Sequence, residues 1–127
     1  MIHGIGTDIV AIARMEANLV RFGDKFARRI LAPQELQAFA DSVSPANFLA
    51  KRFAAKEAAV KAMGTGFRNG ISLGQIAISN DLHGKPILSF SGRALEVCNS
   101  LGVGEGHLSL SDEKDYAIAF VTLMRRS

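Results

Sequence analysis

The chain has 127 residues but no tryptophan, one tyrosine, one cysteine and three prolines. A lone Cys98 cannot close an internal disulfide, so packing must hold the fold, and a reducing, cytoplasmic setting is expected. Within "ALEVCNSLG" it reads as a small buried thiol. Nowhere do about 18 apolar residues run together, and "MIHGIGTDIV" has no basic segment ahead of an apolar one. Neither a membrane span nor export is expected. Aromatic residues make up only 7% of the chain and are not interleaved with basic ones. A stacking platform for RNA or single-stranded DNA is therefore missing.

Several catalytic signatures are missing too. His3, His83 and His107 stand far apart beside a single cysteine, with no paired ligand spacing, so they do not read as a zinc set. "GTGFRNG" is rich in glycine but lacks the Gly-Lys-Ser/Thr ending of a P-loop, and it follows a helical stretch where a P-loop precedes one. No serine sits in a G-x-S-x-G elbow.

What is present fits one globular domain over residues 1–127. Apolar residues are 48% and charged residues 21%, enough to bury a core without cross-links. The net charge of +3 is unevenly spread: residues 1–63 hold nine Lys/Arg against six Asp/Glu, while residues 64–127 hold six of each. Five cations (Arg14, Arg21, Lys25, Arg28 and Arg29) fall between residues 14 and 29, facing only Glu16 and Asp24. Such a local excess reads either as a solvated helix face or as a surface for an acidic partner.

The apolar pattern orders the elements. "IHGIGTDIVAI" reads as a strand whose Gly4 and Gly6 leave room beside the backbone. Ile12, Met15, Leu19 and Phe22, then Phe26 and Ile30, recur at helical spacing, with Gly23 between two short helices. Pro33 marks a further helix start. The longest helix is predicted from about Asn47 to Met63, closed by Gly64. "ISLGQIAIS" and "KPILSFS" read as strands around a turn at Asn80, Asp81 and Gly84. "GRALEVCNSLG" is a short helix, and "HLSLSDEKDYAIAFVTLM" two strands about a charged turn. Helices packed on a mostly antiparallel sheet make an α+β domain.

Two carboxylates ask for an explanation. Asp8 lies inside an apolar strand, where an acid is costly unless paired or metal-bound. Glu57 stands mid-helix among Ala54, Ala55, Ala58 and Ala59, small side chains that would leave it open to a bulky ligand. Lys61 shares its face at i,i+4. The bland alternatives are a turn or cap role for Asp8 and a helix salt bridge between Glu57 and Lys61, worth about 0.3–0.5 kcal/mol. Two carboxylates are too few for a calcium cage but suit Mg²⁺, which keeps waters and completes its shell with phosphates. Lys61, with Arg52 and Lys56 on the same helix, would supply cations for those phosphates.

"GIGTDIV" and "FLAKRFAAKEAAVKAMGTG" resemble the two signature motifs of the holo-acyl-carrier-protein synthases, the small bacterial class of 4′-phosphopantetheinyl transferases. The first carries the family's G-x-D and the second its aromatic-x-x-K-E-x-x-x-K. The likeness continues through "NDLHGKP" and "HLSLSDEKDYAIAFV", so it covers essentially the whole chain. It implies the 4′-phosphopantetheinyl transferase fold and transfer of phosphopantetheine from coenzyme A to a serine of an apo acyl carrier protein, with release of adenosine 3′,5′-bisphosphate. By motif position it implies Asp8 and Glu57 as Mg²⁺ ligands and Lys61 as the group that stabilises charge on the phosphates. Arg52 and His107 would line the coenzyme A pocket near the 3′-phosphate, with Lys85 and Pro86 by the adenine.

Because the nucleophile comes from the partner, this chain needs none; Glu57 or a water on the metal is the expected base. The basic stretch then becomes a dock for an acidic carrier through Arg14, Arg21, Lys25 and Arg28. The family is typically homotrimeric, with the active site between subunits. Where many members have a histidine after "HLSLS", this chain has Asp112, and no chemistry is placed there. Two alternatives differ in kind: a transferase for the carrier domains of secondary-metabolite synthases, and a small basic RNA-binding module, which leaves Asp8 and Glu57 unexplained.

Overall fold

The computed structural model describes residues 1–127. The longest helix, Pro45–Met63, organises everything around it. Taking the helices and strands in chain order, β1 is Ile2–Ala11, α1 Ile12–Phe22, α2 Asp24–Ile30, α3 Leu36–Asp41 and α4 this long helix. There follow β2 (Ile76–Asn80), β3 (Pro86–Phe90), α5 (Gly92–Leu101), β4 (Val103–Asp112) and β5 (Tyr116–Arg125). Helix α4 opens at Pro45 rather than Asn47, because proline's missing N–H costs nothing in the first turn. It closes at Gly64, whose φ of 85° is left-handed. The residue expected to start a helix, Pro33, instead starts a single 3₁₀ turn over Pro33–Glu35, with α3 following it.

The strands are antiparallel throughout and form two sheets: β1-β5-β4, and the hairpin β2-β3 lying beside β4. The hairpin turn is held by Asp81, whose Oδ1 accepts the N–H groups of His83 and Lys85 at 2.8 and 2.9 Å. Gly84 takes the left-handed conformation there, as the turn chemistry required.

Helix α4 lies along β1 and β5, and its alanines are the reason it can. Ala50, Ala54, Ala55, Ala58 and Ala59 are fully buried. A Cβ placed on Gly6 would run into the carbonyl oxygen of Ala58, and one on Gly4 into that of Ala62. The room left by the strand glycines is therefore filled by the helix backbone, not by a ligand. Nor do the alanines open a path to Glu57; they bring two backbones together. The opposite face of the three-stranded sheet is bare, with Ile5, Ile9, Tyr116, Ile118 and Phe120 all exposed.

Replacing Gly6 by Ala should cost about 1–3 kcal/mol, the usual penalty for overpacking a rigid contact. Chemical denaturation of the purified variant measures this, and an unchanged midpoint would contradict the packing described.

Candidate active site

The close approach of α4 to β1 brings Asp8 against the helix. The Lys61 ammonium donates to Asp8 Oδ1 at 3.1 Å and to the Thr7 carbonyl at 3.0 Å. The i,i+4 salt bridge between Glu57 and Lys61 does not form: Lys61 reaches across to the strand instead, and Glu57 has no ion-pair partner. Asp8 is not a turn or cap residue either. It sits within β1, opposite Ala119 of β5, with its side chain mostly covered.

Burial and then repulsion from Asp8 push the Glu57 carboxyl above the usual range, against the pull of Lys61 and Arg14. A half-covered acid whose ionisation is opposed by burial and by a neighbouring carboxylate is a candidate for a functional site. Arg14 contributes from α1, its guanidinium lying 5.6 Å from the Phe53 ring centroid. This arginine, singled out in the sequence only as part of a basic surface, therefore also borders the acidic pair.

The other cations of α4 go elsewhere. Arg52 and Lys56 do not stand beside Glu57 and Lys61, as their closeness in sequence suggested. Each residue turns the helix by about 100°, so 52 and 56 share one face while 57 and 61 share another. Lys56 is fully buried, and its ammonium donates to Glu35 Oε1 at 2.5 Å. Burial lowers its pKa, opposed by that partner. Arg52 donates to Glu35 Oε2 at 2.9 Å and to the Ile78 carbonyl. Nothing in the sequence singled out Glu35, whose cationic partners lie 17 and 21 positions away. The one hint was a pair of cations on one face of an alanine-rich helix, which demands an acid from another element.

Away from the acidic pair, Pro86, Gly84 and Asn80 of the hairpin meet Ser109 and Asp112 of β4 and Lys51 of α4 around a cleft of about 310 Å³. Lys85 precedes Pro86 at this rim. His107, two residues before Ser109, is exposed and lies 3.3 Å from Glu105. Asp112 accepts a hydrogen bond from Asn47 at 2.9 Å, tying β4 to the first turn of α4. Along α1 and α2, Arg14, Arg21, Lys25 and Arg28 are all exposed. Arg28 also borders a groove of about 660 Å³ lined by Leu19, Ala27, Leu36, Phe39 and Pro45.

A model of the 4′-phosphopantetheinyl transferase superfamily matches residues 4–121. The chain belongs to that family. It is 56% identical over 124 residues to the holo-acyl-carrier-protein synthase of Halorhodospira halophila, covering 98% of each chain. With the enzyme of that name from Vibrio cholerae it shares 52% over 126 residues, covering 99% of this chain and 100% of that one. A crystal structure of the Neisseria meningitidis holo-acyl-carrier-protein synthase superposes with a TM-score of 0.92 at 47% identity, over 98% of this chain and 100% of that one. The Bacillus anthracis synthase in complex with coenzyme A (3′,5′-ADP) gives 0.81 at 40%, over 100% and 99%. This chain is accordingly a phosphopantetheinyl transferase enzyme with the family's α+β fold.

No three His, Cys, Asp or Glu side chains converge as a complete metal cage. Asp8 and Glu57 nonetheless fit an ion that takes few protein ligands, and their mutual repulsion is what a divalent cation between them would relieve. The same repulsion gives a test. A carboxyl whose folded pKa is raised destabilises the fold above that pKa, and the penalty vanishes below the unfolded value. Glu57→Gln should therefore raise the melting temperature of the metal-free protein at pH 8, with the gain disappearing near pH 4. Calorimetric scans across that range check it, and a loss of stability at pH 8 would contradict it.

Proposed function

We propose that this transferase, as one domain over residues 1–127, moves the 4′-phosphopantetheine arm of coenzyme A onto a serine hydroxyl of an apo acyl carrier protein. Adenosine 3′,5′-bisphosphate leaves, the reaction depends on Mg²⁺, and it serves fatty acid biosynthesis in the cytoplasm. The observation that carries the reading is the crossing of Lys61 to Asp8, which leaves Glu57 beside them without an ion pair. In the reaction the serine oxygen bonds to the pantetheine-bearing phosphorus, and the bond from that phosphorus to the bridging oxygen breaks. The electron pair of that bond leaves with the nucleotide.

Asp8 and Glu57 would hold Mg²⁺, whose charge when bound offsets that on the pyrophosphate. Lys61 is more than half exposed and uses two of its three N–H donors on Thr7 and Asp8. The third can reach a phosphate oxygen as negative charge builds on the leaving group. Glu57, which no ion pair occupies, would accept the serine proton.

Lys85, Pro86 and His107, at or beside the cleft between the hairpin and β4, would receive the nucleotide. Arg52 would reach its 3′-phosphate with the part of its guanidinium that Glu35 does not hold. The exposed cations Arg14, Arg21, Lys25 and Arg28 suit the acidic surface of a carrier, a steering contact that salt weakens. The bare sheet face would serve as the interface between copies of the chain, in the homotrimer proposed for it. Ile9 faces Ile118 and Thr7 faces Phe120 across β1 and β5, and an exposed apolar patch of this kind marks an interface.

Intact-mass spectrometry of an apo acyl carrier protein incubated with enzyme, coenzyme A and Mg²⁺ tests the reaction. The carrier should gain one phosphopantetheine arm, and the gain should vanish with a chelator or with Glu57→Ala. Charge reversal at Arg21 and Lys25 should raise KM for the carrier by about tenfold at low salt and spare that for coenzyme A. Modification of synthase carrier domains but not of a fatty-acid carrier would contradict the assigned client.

A further inference from the structure

Glu35 is 1% exposed, and its two oxygens accept four hydrogen bonds. Oε1 receives the Ala32 N–H at 2.8 Å and the Lys56 ammonium at 2.5 Å. Oε2 receives Arg52 Nη1 at 2.9 Å and the Ile78 N–H at 3.1 Å. A carboxylate so saturated has no capacity left for substrate. Its influence must pass through a partner.

Of its two cationic partners, Lys56 is sealed, with a further bond to the Leu73 carbonyl at 3.0 Å. Arg52 is different. Only its Nη1 is engaged, by Glu35 and the Ile78 carbonyl, and its guanidinium carbon lies 4.5 Å from the Phe48 ring centroid. Nε and Nη2 have no partner within the protein. Yet His3 Nδ1 is the one sealed side-chain polar atom without a bond, so those two nitrogens of Arg52 reach solvent. One edge of the guanidinium is clamped, and the other, in a side chain only 9% exposed, meets solvent through a narrow gap. Glu35 also cancels only one of the two positive charges beside it, leaving an excess that favours an anion.

We propose that Glu35 is a positioning residue for recognition of the 3′-phosphate of coenzyme A: it grips Nη1 so that the free edge of Arg52 is fixed in advance for that phosphate. The proposal rests on the reading of Arg52 as the 3′-phosphate contact. An unclamped arginine loses side-chain freedom when it binds, whereas a clamped one has lost it already, so the gain falls on affinity for the phosphate alone.

Steady-state transfer assays with coenzyme A, and with coenzyme A lacking its 3′-phosphate, separate positioning from a merely structural role. Glu35→Gln alone leaves two buried cations unbalanced. The informative variant is Glu35→Gln with Lys56→Met, which removes one charge of each sign. It should raise KM for coenzyme A by about tenfold while moving KM for the dephosphorylated form by less than about twofold. Arg52→Gln, assayed alongside, should show the same selectivity.

If Arg52→Gln is selective and the Glu35 variant weakens both substrates equally, or neither, Glu35 is structural and the proposal falls alone. If Arg52→Gln is itself unselective, the contact assigned to Arg52 falls and takes the proposal with it. Should the double variant melt below the assay temperature, Glu35→Asp keeps the charge but shortens the reach. The same ratio decides: selectivity supports positioning, and equal weakening overturns it.

Discussion

The carbonyl oxygens of Ala58 and Ala62 occupy the space that side chains at positions 6 and 4 would need, so α4 lies on β1 at backbone distance. Most of what is functional here depends on that contact. A strand residue and a helix residue can share a site only when the two backbones approach this closely, with short side chains between them. Asp8 is thereby held within reach of Lys61, and Glu57 is held where burial, and then the strand acid, raise its pKa.

The same helix carries a second charged assembly on another face. Arg52 and Lys56, one turn apart, converge on Glu35 and join α4 to the 3₁₀ turn, to β2 and to the segment before it. Buried ion groups of this kind contribute little net stability but strongly constrain geometry, because breaking one partner strands the others. Thus α4 is located twice, by backbone contact with β1 and by an ionic clamp toward β2. Between those fixed faces Glu57 has no partner of its own. That division separates the residues that hold the helix from those available for chemistry.

Much of this was legible in the sequence. An acid inside an apolar strand, and a Glu/Lys pair on a long alanine-rich helix, pointed to Asp8, Glu57 and Lys61, and the structure brings the three together. The helix and strand order followed from periodicity and glycine punctuation, but Pro33 starts a 3₁₀ turn ahead of its helix, and Leu73–Gln75 form another where "ISLGQIAIS" was read as strand, so β2 begins only at Ile76. Two things were misread. The glycines of β1 and the alanines of α4 looked like space for a ligand, since a sequence does not say which backbone will fill a gap. Arg52 and Lys56 looked like neighbours of Glu57 because they are near in sequence, although a turn of about 100° per residue sends them elsewhere. Glu35 could not be found at all. Its partnerships span up to 43 positions, and no local pattern encodes them.

Backbone contact between α4 and β1 is what would bring the proposed cation ligands, Asp8 and Glu57, together. Calorimetric titration of Mg²⁺ with coenzyme A present tests it most directly, using the natural chain, Asp8→Asn, and Gly6→Ala at a temperature where that variant is folded. Both variants should lose affinity by about tenfold or more, the first by removing a proposed ligand and the second by displacing the helix that carries the other proposed one. A folded Gly6→Ala protein that binds Mg²⁺ as tightly as the natural chain would contradict the claim.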